Sequence, residues 1–277
     1  MKKWEKTGAV VGAKPPIVVQ TSGKQLVEKV IEFLKQEEKF APFLYLDPWG
    51  IKGIERDILI DFLSLREEGL EAEILFRFPP KEVFRFYRNP KLSKRWLEEK
   101  IGTFKLDDIE NSVESREYIL ERYIKAFSSF YNKEDLYYVA VEVPARPPYY
   151  MVFFTEHTRG CFEMGIAMTN AIKKYLSKKG IILGVALSQF SVSDADYKAI
   201  IDTLQELSTQ EDTNITVEEL VANIYRKSIF PKFFRRPKYV PGITTWQDAL
   251  KDLRNQGKVI FLDGKVSEPH CRICLAG

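Results

Sequence analysis

Residues 43–50 read FLYLDPWG, and the fold turns on how that stretch is understood. Four apolar residues, Phe43 to Leu46, run without interruption into Asp47, Pro48, Trp49 and Gly50. A short apolar run bounded by turn residues suits a strand covered on both faces, because neither side of its pleat then meets water. Pro48 has no backbone N–H to offer a ladder, and Gly50 lets the chain leave the tip tightly. The stretch predicts a buried strand carrying an acid, a proline and a large ring at its carboxyl end.

Strand and helix signals alternate on either side. Ile17 to Gln20 (IVVQ) predicts a short strand. Leu26, Val27, Val30, Ile31, Phe33 and Leu34 recur at helical spacing, with Ser22 placed to cap them. Ile54, Ile58, Leu59, Phe62, Leu63 and Leu65 mark the next helix, closed near Gly69. Glu73 to Phe78 (EILFRF) is the following strand, ended by Pro79 and Pro80. This alternation implies an α/β domain on a parallel, partly Rossmann-like sheet with right-handed crossovers. A helix over Ile119 to Phe130 follows a polar, charged stretch. Strands at 136–143 and 149–155 are expected to complete the same sheet. The PARPP between them is too long and too proline-rich for a two-residue turn. A helix over 162–176 and another near Tyr197 to Leu207 come next.

The last stretch has another character. Asn214 or Thr216 stands where a helix cap belongs, and Glu219 follows Thr216 at capping-box spacing. A basic loop leads to a helix over Thr245 to Gln256, stopped by Gly257. KVIFLDGKV then predicts a strand, a tight Asp263-Gly264 turn and a return strand. Helix, loop, helix and hairpin resemble the layout of a winged helix-turn-helix. The expected organisation is an α/β domain over 1–180, a helical connector over 181–213 and a winged-helix-like domain over 214–277.

Composition narrows the classes. With 45% hydrophobic residues in 277, the chain can bury a full core. A net charge of +3 excludes a global, histone-like attraction to nucleic acid but leaves room for a local basic patch. No apolar run reaches the roughly 20 residues of a membrane helix, so no membrane partner is expected. The opening MKKWEKTGAVVGAKPP has positive charge without an apolar stretch behind it, so no signal peptide is expected. The three cysteines are too few and odd in number for a disulfide framework. These features together lead to the expectation of a cytoplasmic protein. His270, Cys271 and Cys274 form H-C-x-x-C. Zinc needs four ligands, or three with an open position, and the remaining candidates His157 and Cys161 lie far up the chain. No metal site is expected there, and the segment is read as a flexible tail.

Two stretches carry candidate chemistry. Ligands of open parallel sheets bind beyond the carboxyl ends of the strands, which is where Asp47 to Gly50 should lie. The Asp47 carboxylate and the Pro48 carbonyl can accept hydrogen bonds from an exocyclic amine, and Trp49 offers a stacking face. Arg77, ending the neighbouring strand, is placed on the same edge. The plainer alternative makes Asp47 a helix cap and Trp49 a core residue. His157 either contacts substrate or caps the helix near Thr158, and the second is favoured. The other stretch is basic: Arg226, Lys227, Lys232, Arg235, Arg236 and Lys238, with no acid between Val221 and Gln247. Phe230, Phe233, Phe234, Tyr239 and Trp246 are interleaved. Lys232, Arg235, Arg236 and Lys238, with Lys251 and Arg254 on the last helix, can neutralise phosphates of DNA. Alternatively the loop is simply solvated, and Asp248 and Asp252 on that helix oppose tight phosphate contact.

The stretches LYLDPWGIKGIERDILIDFL, EILFRF and YYMVFFTEHTRGCFEM, in that order, resemble the three-Cys-motif partner family. The tip resembles the D-P-P-Y type found in methyltransferases that act on base amines, with one proline in place of two. The resemblance covers about residues 17–170. It implies a methyltransferase-like protein, phage or mobile-element associated, with Asp47, Pro48, Trp49 and Gly50 as its catalytic tip. It also implies a partner protein carrying a three-cysteine cluster. The family binds S-adenosylmethionine through a glycine-rich turn upstream of the tip. Here Gly8 and Gly12 have no strand before them and do not form that turn. The expectation is a chain without its cofactor-binding half, taking S-adenosylmethionine only with a complementing N-terminal half. The alternative is a non-enzymatic nucleic-acid-binding or adaptor protein acting through its winged helix.

Overall fold

The computed structural model describes residues 23–34, 42–47, 56–64, 72–89, 95, 98, 114–130, 136–143, 149–178, 194–208, 215–227, 243–266 and 268–276. The expected strand at 17–20, the cap Ser22, the tip residues Pro48, Trp49 and Gly50, and the basic loop with Lys232, Arg235, Arg236 and Lys238 lie outside them.

Helix α1 (Gly23–Leu34) leads to strand β1 (Phe43–Leu46), α2 (Arg56–Leu63), β2 (Glu73–Phe78), α3 (Pro80–Tyr87) and α4 (Glu114–Phe130). Then come β3 (Tyr137–Val143), β4 (Tyr149–Thr155), α5 (Thr158–Lys178) and α6 (Asp194–Ser208). The chain ends with β5 (Ile215–Thr216), α7 (Val217–Lys227), α8 (Ile243–Asn255), β6 (Val259–Phe261) and β7 (Arg272–Leu275).

The main sheet is mixed, which corrects the expectation of a parallel one. Its order is β1-β2-β4-β3. β1, β2 and β3 point the same way, β1 and β2 as a hydrogen-bonded parallel pair, whereas β4 runs antiparallel to both of its neighbours, β2 and β3. The reason lies in the connections. A parallel pair needs a crossover of roughly a dozen residues or more, which α2 supplies between β1 and β2, whereas the short PARPP link permits only an antiparallel neighbour.

Helices cover both faces. Ile74, Phe76, Phe78, Tyr138, Tyr150, Val152 and Phe154 point to one face, packed by α2, α3 and α4. Its centre is aromatic: Phe127 and Phe154 stack at 4.3 Å, and Tyr123 lies 4.9 Å from Phe78. Fully burying each such ring contributes about 1.5–3 kcal/mol. On the other face, Val139, Val141 and Phe153 join Cys161 and Phe162 of α5, Leu204 of α6, Leu220 and Ile224 of α7, and Trp246 and Leu253 of α8. This second core joins the sheet to the C-terminal elements.

Four local expectations change. Pro80, read as ending β2, also starts α3 as its first residue, where a missing N–H costs nothing. Strand β1 is not covered on both faces: Leu44 and Leu46 pack inward, but Phe43 and Tyr45 are 50% and 55% exposed. It stands at the sheet's edge in the strand order. The strand that returns to β6 is not the one after Gly264 but Arg272–Leu275, and β7 sits centrally in a sheet ordered β5-β7-β6. The H-C-x-x-C segment is accordingly no loose tail, because Cys271 and Ile273 are buried. The capping box is present as read. The Glu219 N–H donates to Thr216 Oγ1 at 3.2 Å, and the Thr216 N–H donates to Glu219 Oε2 at 2.8 Å.

Candidate functional site

Strand register lays out one face of the main sheet in rows. Side chains alternate along a strand, so residues paired across strands share a face. Tyr45, Leu75, Phe153 and Val139 form one row, and Arg77, Met151 and Val141 form the next. Asp47, two residues past Tyr45 and just beyond β1, extends the second row. Phe43 stacks on Phe153 at 6.3 Å, which fixes β1's exposed side to this face.

Asp47 and Arg77 meet there. Arg77 Nη1 donates to Asp47 Oδ1 at 3.1 Å, with the arginine 34% and the aspartate 50% exposed. The guanidinium lies over the Tyr149 ring, 4.3 Å from its centroid. Arg77 is thus held on two sides, at its edge by a carboxylate and on its face by a ring. Its Nε is shielded from solvent and has no hydrogen-bond partner among the described residues. The sequence reading put Asp47 and Arg77 on one edge, and they are in contact. It missed Tyr149. The antiparallel β4, starting beside the carboxyl end of β2, brings that ring to the tip.

His157 is elsewhere. Ile74 pairs with Phe154 and Arg77 with Met151, so β4 ends beside the start of β2. Thr155, the last residue of β4, lies level with Glu73, about 13 Å along β2 from Arg77 at the usual strand rise, and His157 follows it at the opposite end of the sheet from Asp47. Its N–H donates to Thr155 Oγ1 at 3.1 Å, and its carbonyl accepts the Cys161 N–H at 3.0 Å. That is the start of α5, and the ring is exposed. Beside it Thr155 Oγ1 donates to Glu73 Oε1 at 2.9 Å, with Gly160 passing close above.

On the C-terminal elements, Lys251 Nζ lies 3.6 Å from Asp248, and the Arg254 guanidinium lies 5.3 Å over the Phe261 ring. Tyr197 donates to Asp252 at 2.9 Å. The exposed part of α8 therefore sets two acids beside two bases. Among the described residues no three histidines, cysteines or carboxylates converge as a metal site would require, and no helix is long and apolar enough to cross a membrane. The chain matches no family model, no curated protein and no solved structure.

Proposed function

We propose that the chain supplies the substrate-gripping half of a methyltransferase-type domain of the three-Cys-motif partner kind. In this role Asp47 accepts a hydrogen bond from the amine of a nucleobase-like ring. The contact between Asp47 and Arg77 at the carboxyl end of the parallel pair carries this reading. In open α/β sheets that is the end where ligands bind. S-adenosylmethionine then belongs to strands added beside β1 by another segment or polypeptide, and no described residue is assigned to it. Separately, the same resemblance proposes a protein carrying a three-cysteine cluster as a partner.

The test is calorimetry of the full chain with 2′-deoxyadenosine, comparing the wild type with Asp47→Ala. Binding by the wild type that is lost in a normally folded variant supports the reading. Equal binding by both, or none by the wild type, overturns it.

A second reading is favoured by a separate observation. Three helices followed by β6 and β7, with β5 between the first two and the order β5-β7-β6, resemble the layout of a winged helix and support that reading. Such a module binds DNA or docks a protein. Salt-dependent binding to duplex DNA, weakened in an Arg235→Ala/Arg236→Ala double variant, supports the DNA form of this reading. Unchanged binding in the double variant sinks it.

A further inference from the structure

We infer that Arg77 is a specificity-determining residue of the Asp47 tip. It selects a neutral planar ring that carries an N–H donor beside a ring acceptor, and it turns away anions. This deepens the proposed reading of the tip and rests on it.

Charge comes first. Asp47 and Arg77 neutralise each other across 3.1 Å. A phosphate or carboxylate arriving at Arg77 would have to displace Asp47 or sit against it, which like charges disfavour. A neutral ligand meets no such opposition.

The donor and acceptor pattern comes second. Asp47 uses Oδ1 for Arg77, and its carboxylate still has acceptor capacity on an exposed side chain. Arg77 spends Nη1 on Asp47, and its guanidinium carries five N–H donors in all. Its Nε is shielded from solvent, so the donors open to a ligand are those of the terminal nitrogens on a side chain that is 34% exposed. The pair thus presents an acceptor and donors side by side, next to the Tyr149 ring. Adenine and cytosine match it, each with an exocyclic amine next to a ring nitrogen that accepts. Asp47 alone would read only the amine. Arg77 adds the neighbouring acceptor, and a site built to bond two groups rejects a ligand that lacks one.

The experiment compares 2′-deoxyadenosine with its 1-deaza and 7-deaza analogues, each missing one ring acceptor, by titration calorimetry on the full wild-type chain. We expect one analogue to bind about tenfold more weakly, as befits a lost hydrogen bond to a charged donor. In Arg77→Met the parent and that analogue should bind alike. Equal binding of all three nucleosides by the wild type, with Asp47→Ala still abolishing it, would overturn this inference and leave the proposed function standing. No nucleoside binding by the wild type overturns both. The wild-type comparison needs no folded variant. Inorganic phosphate serves as the anion probe, and phosphate that binds and competes with 2′-deoxyadenosine also overturns the inference.

Discussion

Asp263 holds Arg272 twice, accepting its backbone N–H at 2.7 Å and its guanidinium Nε–H at 2.5 Å. The two residues lie at opposite ends of the loop between β6 and β7, and the Cys271 thiol adds a hydrogen bond to the Asp263 carbonyl. Gly264, at φ 66°, makes the turn beside them. The clamp explains why the return strand waits until Arg272. It also carries a pH dependence. The backbone N–H of Arg272, then its side chain, holds the Asp263 carboxyl below its ordinary value of 3.8. A carboxyl whose pKa is depressed by folding stabilises the fold above its unfolded pKa and loses that contribution as pH falls through the folded one. The melting temperature of Asp263→Asn should therefore lie below the wild type's near neutral pH, and the gap should close as pH falls below 3.8. A gap that stays constant with pH would show that the clamp does not act through the charge.

Removing the Thr216 hydroxyl takes an acceptor from the Glu219 N–H and a donor from the Glu219 carboxylate. Thr216→Ala should cost about 1 kcal/mol in urea unfolding, and Thr216→Ser should recover most of it. No change in either variant would mean that α7 is held by packing alone.

Gly160 sits in the first turn of α5 with no room above it. A Cβ there would come within 2.7 Å of Glu73 Oε1 and 2.8 Å of Thr155 Oγ1. Alanine is the better helix former by about 1 kcal/mol. Gly160→Ala should nevertheless destabilise, by a net amount on the order of 1 kcal/mol, because Thr155 is buried and cannot give way. In a Glu73→Ala background the penalty should shrink. A stabilising Gly160→Ala would show that both oxygens move aside freely.

The cysteines should separate by reactivity. Burial pushes the Cys161 thiol far above its ordinary range, and burial with the nearby Asp263 and Glu268 charges raises Cys271. Cys274 is only partly buried. Since the thiolate is the reactive species, a disulfide reagent such as DTNB should label Cys274 in the native protein and the other two only as it unfolds. Prompt release of three equivalents would contradict this.

Much of the fold was legible because apolar periodicity reports burial directly. EILFRF became β2, and its alternate residues Ile74, Phe76 and Phe78 are buried. Thr216 and Glu219 announced their cap because that interaction is local. Strand direction was not legible, because pairing β4 between β2 and β3 is a long-range choice that only the length of the PARPP link constrained. The Asp263-Gly264 pair misled because it is also the commonest hairpin signal. Its side chain finds Arg272 instead, a contact spanning the loop that no local rule anticipates. At the candidate site, Asp47 and Arg77 were readable from two strand ends side by side. Tyr149 was not, because its arrival depends on the antiparallel β4. His157, favoured in the sequence as the cap of the helix near Thr158, stands at the start of α5, and the antiparallel β4 carries it to the end of the sheet away from Asp47, so the alternative of a substrate contact beside Asp47 is not met.

The two cores on either side of the main sheet are written in one set of letters. Odd and even positions of β2, β3 and β4 belong to different halves of the protein, so a one-residue slip would exchange their entire contents at a stroke. Phe76 would take the place of Leu75, and Phe154 that of Phe153. The C-terminal helices hold that parity from one side and the aromatic cluster holds it from the other. The alignment that brings Arg77 to Asp47 is thus enforced by residues that never approach the tip.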